Sequence, residues 1–86
     1  MHQKLDTPIS LLAYFDCARR RVSPTLLIWN GRRYAIHRIG FRHTYREGRT
    51  LYHVFSVVAG AFFFRLTLNA ETLTWQLKEV ADGLPD

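Results

Sequence analysis

The sequence predicts an all-β domain: a small antiparallel meander of about five to six strands curled into a barrel or half-barrel. Three observations predict it. Apolar residues recur at every second position in several segments, and turn residues fall between those segments at short, regular spacing. Six Phe, four Tyr and two Trp in 86 residues supply the bulky side chains that a sheet of this size needs to fill its concave side. Curling then hides the sheet edges.

The elements follow in order. Residues 1–7 are expected to be a frayed tail. Ile9, Leu11, Ala13 and Phe15 alternate with Ser10, Leu12, Tyr14 and Asp16, a strand pattern. The same stretch also fits a helix, with Thr7 as cap, Pro8 in the first turn and Arg19 to Arg21 at the end that favours cations. The strand is the preferred reading, with the arginine run and Ser23-Pro24 as the loop that follows. Asn30-Gly31 between Leu26-Leu27-Ile28-Trp29 and Arg32-Arg33-Tyr34-Ala35-Ile36 is a hairpin, because both residues tolerate the positive φ that a tight turn requires. A three-residue loop, Arg46-Glu47-Gly48, is expected next. It sets Tyr45 opposite Arg49, Phe41 beside His53 and Ile39 beside Phe55, whereas a two-residue loop would put Arg38 and Arg42 in the core. Leu51 to Val58, Ala61 to Leu68 and Leu73 to Lys78 alternate in the same way, joined by Ala59-Gly60 and by Asn69 to Thr72. Residues 82–86 are a second tail. The expected core is Leu26, Ile28, Ile39, Phe41, Phe55, Val57, Phe62, Phe64, Leu66, Leu68, Leu73, Trp75 and Leu77.

Composition bounds the rest. At 10.1 kDa and 48% hydrophobic residues, the chain has the balance of a single globular domain, too short for a two-domain enzyme. A single cysteine, Cys17, provides no internal disulfide and no thiol partner for zinc, which suggests a cytoplasmic protein. The apolar run from Val54 to Phe64 is too short to span a bilayer and is broken by Ser56 and Gly60. No basic head and cleavage site open the chain.

Charge is the first functional signal. The net charge is +5, and Cys17 to Thr50 holds nine arginines against Glu47 alone, a balance of +8. From Glu71 onward four acids face Lys78 alone, a balance of −3. Guanidinium forks match phosphate geometry, so an arginine-rich middle points to a polyanionic partner; the alternative is that these arginines only keep a small apolar domain in solution. On the face opposite the expected core, Arg32, Arg38, Arg42, Arg65 and Lys78 interleave with Tyr34, Tyr52 and Phe63. Rings that stack on bases beside cations that neutralise the backbone are how single-stranded nucleic acid is held. The expectation is a non-catalytic module that binds nucleic acid through these eight residues. The alternative is a protein-interaction or homodimerisation module.

Nothing points to catalysis. His37, His43 and His53 could share a face, but their neighbours Ile39, Phe41, Phe55 and Val57 mark them as core-margin histidines, so no metal is expected. Cys17 beside Asp16 has no fixed geometry as a nucleophile, and phosphate loops, paired carboxylates and serine elbows are absent, so no cofactor is implied.

The run Trp29, Gly31, Arg32, Arg33, Tyr34 with Ile36, followed by Trp75-Gln76-Leu77, Val80 and Asp82, resembles a family of small uncharacterised bacterial domains. The resemblance covers Pro8 to about Asp82. It implies a small β fold and a bacterial origin, and it lends no catalytic residues. Phe41 and Tyr45 stand where the family pattern has a tryptophan after Ile39.

Overall fold

Ile9 is the residue at which the sheet changes partners. The computed structural model describes residues 2–82, which form seven strands. These are β1 (His2–Pro8), β2 (Ser10–Asp16), β3 (Arg21–Trp29), β4 (Arg32–Glu47), β5 (Thr50–Ala59), β6 (Phe62–Asn69) and β7 (Thr74–Asp82). They make one antiparallel sheet in the order β1-β7-β6-β5-β4-β3-β2. From β2 to β7 it is a simple meander. The two outermost strands, β1 and β2, are separated by Ile9 alone, whose N–H donates to the Trp75 carbonyl at 3.0 Å. Because one extended segment pairs first with β7 and then with β3, the sheet must curl. Pro8 is the last residue of β1 in register with β7. β1 and β2 do not pair with each other, so the curl stops short of a closed ladder.

One expectation for the N-terminus is corrected, and the strand preferred for residues 10–16 is present. Residues 2–8 are a strand in register with β7, Gln3 facing Val80 and Thr7 facing Leu77, rather than a tail. Backbone hydrogen bonds hold it, together with Leu5 against the core and the Asp6–Lys78 pair, and a single large apolar side chain leaves no alternation to mark it. Residues 10–16 are strand, not helix. The expected tail at 82–86 begins with Asp82, the last residue of β7; residues 83–86 lie outside the described residues.

All seven strands contribute to one inner face. Leu27, Phe55, Val57, Ala59, Phe64, Leu66, Leu77 and Val80 form its buried centre, with Leu5, Leu11, Tyr34, Ile39, Phe62 and Trp75 packed around it. Four expected core residues point elsewhere. In the Leu26–Trp29 run of β3 the buried residue is Leu27, while Ile28 is exposed and Leu26 only half-buried. The expected phase is off by one because a run of four apolar residues carries no alternation of its own. Leu73 is exposed at φ +60° in the turn before β7. There the Asn69 side chain accepts hydrogen bonds from the Glu71 and Thr72 amides. Phe41 is exposed as well.

Phe41 turns outward because of the β4–β5 hairpin. Its loop has two residues, Gly48 and Arg49, between the paired Glu47 and Thr50, and Gly48 supplies the positive φ of +62°. Tyr45 therefore faces Tyr52, and Arg42 faces Phe55. Two bulges, between Ile36 and Arg38 and between Ile39 and Phe41, then reset the phase and return Ile39 to the core opposite Val57.

At the β3–β4 turn Asn30 and Gly31 take φ of +52° and +75°, as the Asn-Gly pair predicts. A Cβ on Gly31 would meet nothing within 4 Å. Gly31→Ala is therefore expected to cost about 1 kcal/mol through backbone strain alone. A shift of that size in the urea midpoint, with an unchanged slope, is the measurement that checks it.

Candidate nucleic-acid interface

β5 separates the two faces of the sheet. His53, Phe55, Val57 and Ala59 look inward, and Tyr52, Val54, Ser56 and Val58 outward. Each outward residue sits in a cross-strand row: Arg38–Val58–Phe63, Phe41–Ser56–Arg65, His43–Val54–Thr67 and Tyr45–Tyr52–Asn69. Small side chains on β5 thus lie low between taller ones. Along the β4 side the Phe41 and His43 rings are 5.0 Å apart, and Tyr45 stacks on Tyr52 at 5.0 Å with the planes 13° from parallel. Phe41 is 56% exposed and Tyr45 42%. At the end of this strip Tyr52 borders a polar notch of about 70 Å³ formed with Thr67, Asn69, Thr74 and Gln76.

The eight residues expected on one surface are divided. Arg38, Tyr52, Phe63 and Arg65 share the outer face, with Phe63 half-buried. Tyr34 belongs to the inner face, its ring 5.6 Å from Phe62 and 5.5 Å from Phe64. Arg32 is exposed opposite Trp29, beside the β3–β4 turn. Arg65 is held by Glu79 at 2.9 Å and Lys78 by Asp6 at 2.8 Å, which spends their charge locally. Among the described residues, Arg20, Arg21, Arg32, Arg33, Arg38, Arg46 and Arg49 form no ion pair.

Arg42 is the largest departure. Opposite Phe55 it reaches inward, its guanidinium carbon 5.4 Å from the ring centroid. It donates to the Val22 carbonyl at 3.1 Å and to Ser23 Oγ at 2.9 Å. β3 pairs with β4 only from Leu26 to Trp29, so Arg42 replaces the missing backbone ladder where the two strands diverge. Burial, and then repulsion from Arg21, lower the proton affinity of its guanidinium, which stays charged. Arg42→Ala is expected to destabilise the fold by about 1–3 kcal/mol, and Arg42→Lys to recover little, since an ammonium cannot reach both acceptors as a planar fork does. Equilibrium denaturation of both variants checks this.

Phe41, His43 and Tyr45 are the outer-face residues that sequence reasoning missed. The signal was present in Gly48-Arg49: a two-residue loop by itself puts Tyr45 across from Tyr52. The three histidines do not converge: His43 and His53 border one cavity with Arg42 and Phe55, and His37 does not. Among the described residues no three of His, Cys, Asp and Glu are grouped for a metal. Cys17 is exposed in the β2–β3 turn. No helix is long and apolar enough to cross a membrane.

No family model, curated protein or solved structure matches the chain. Trp29 and Tyr34 have a packing role. Trp29 and Tyr34 flank the Asn-Gly turn and close on each other at 6.2 Å, and both rings meet Phe62 and Phe64. An aromatic corner of this kind stabilises a hairpin whatever the domain binds.

Proposed function

We propose that this is a non-catalytic module that binds single-stranded nucleic acid along the outer face of the β4–β5 hairpin. The observation that carries the reading is the strip of accessible rings, Phe41, His43, Tyr45 and Tyr52, along a hairpin whose outward Arg38 has no acidic partner among the described residues. Bases stack on flat rings regardless of identity, and phosphates are neutralised by cations beside them. The notch beside Tyr52 offers hydroxyl and amide groups to a base edge. Of the residues first expected on one surface, the reading uses Arg38, Tyr52 and Phe63, and Arg42 and Tyr34 leave the set. Titration of labelled single-stranded oligonucleotides at two salt concentrations tests it. Binding that weakens as salt rises is expected, and no binding at low salt would overturn the reading.

One observation favours a second reading, self-association. β2 is an outermost strand with an unpaired edge, and Leu12, Tyr14 and Phe15 on it are 62%, 61% and 63% exposed. Light scattering over a dilution series separates the two. A monomer is expected if the nucleic-acid reading is complete, and a dimer that Tyr14→Lys dissolves would establish the edge as an interface.

A further inference from the structure

Where β3 parts from β4, the curled sheet opens into a cavity of about 400 Å³ on the inner side, a size typical of small-molecule sites. Phe15, Val22 and Phe55 give it an apolar wall, and Arg20, Arg21 and Arg42 converge on it. Its lining contains no carboxylate. The nearest acid along the chain, Asp16, is taken by the backbone N–H of Arg19 at 3.1 Å and by its guanidinium at 3.8 Å. Three guanidiniums around one apolar opening repel one another, and nothing in the lining offsets that repulsion.

We propose that this cavity binds a phosphate monoester joined to a flat ring, the chemistry of a nucleoside monophosphate or of a phosphorylated oligonucleotide end. Arginine forks match phosphate oxygens two at a time, and three cations without a carboxylate favour a dianion over a single carboxylate. Arg42 is held in position by Val22 and Ser23, which leaves its remaining N–H groups for the ligand without a further ordering cost. The ring lies against Phe15, which is 63% exposed at the cavity. Arg42 and Phe55 are on the opposite side of the sheet from Phe41 and Tyr45, while His43 of the outer-face strip also borders the cavity.

The test is calorimetric titration of the full chain with adenosine monophosphate, adenosine and inorganic phosphate, each alone. Adenosine monophosphate is expected to bind at least about tenfold more tightly than either of the others, since phosphate and ring each contribute. Equal binding of adenosine would overturn the phosphate contact, and equal binding of inorganic phosphate would overturn the ring contact. Arg42→Ala risks the fold, so the decisive variant is Arg20→Ala/Arg21→Ala. Both side chains are exposed and make no hydrogen bond or ion pair among the described residues. A loss of about tenfold or more in affinity for adenosine monophosphate is expected, and unchanged affinity would overturn the proposal. Competition with 5′-phosphorylated and 5′-hydroxyl oligonucleotides identifies the source. Displacement by the phosphorylated strand alone assigns the cavity to a chain end, and displacement by neither assigns it to free nucleotide.

Discussion

Phe64→Ala is expected to cost about 3–5 kcal/mol, a large part of the 5–15 kcal/mol that holds a small domain folded. Phe64 is fully buried, faces Val57 on one side and Val80 on the other, and has the rings of Trp29, Tyr34 and Phe62 between 5.5 and 5.9 Å from its own. Removing it empties the point at which β3, β4, β5, β6 and β7 meet. No adjacent strand can collapse into the space, because each is pinned by its own ladder. Thermal unfolding checks this: a melting temperature lowered by well over about 10 °C is expected. Phe64→Leu, which fills most of the volume, should recover more than half of the loss. A small shift in the alanine variant would mean that the aromatic corner packs less closely than the ring distances state.

Phe41→Ala/Tyr45→Ala is expected to weaken single-stranded oligonucleotide binding by about 2 kcal/mol or more, roughly thirtyfold in Kd, because each stacked base contributes about 1–3 kcal/mol. The melting temperature should scarcely change, since Phe41 is 56% and Tyr45 42% exposed and Tyr45 loses only its stack on Tyr52. The salt dependence separates the contributions. Removing rings leaves the slope of log Kd against log salt as it was, while Arg38→Ala flattens it by up to about one phosphate contact. Affinity unchanged in the ring variant would remove the outer face from the nucleic-acid reading, and affinity that fell only in step with stability would do the same.

Local chemistry in the chain accounts for much of the fold. Asn30-Gly31 takes the two positive φ angles that its residue types predict, and Asn69 caps its turn through its own side chain. The alternation in β5, β6 and β7 correctly predicts that Phe55, Val57, Phe64, Leu66 and Leu77 share one face. Where the pattern is strong and local, side-chain period and turn type need no knowledge of the partner strand.

Partner strands decided the remainder. Leu5 becomes half-buried only because β7 offers an edge to residues 2–8, a contact more than 70 residues away along the chain. The two bulges in β4 cannot be read from Gly40 or His37; they arise because a two-residue loop sends Arg42 inward and the strand must recover its apolar phase to bury Ile39. That single exchange moved Arg42 from the surface into the cavity and brought Phe41 out. Composition and alternation thus establish a β domain with a basic middle. Which arginines face phosphate and which brace the sheet depends on hydrogen-bond register, and register is a property of two strands together rather than of either one.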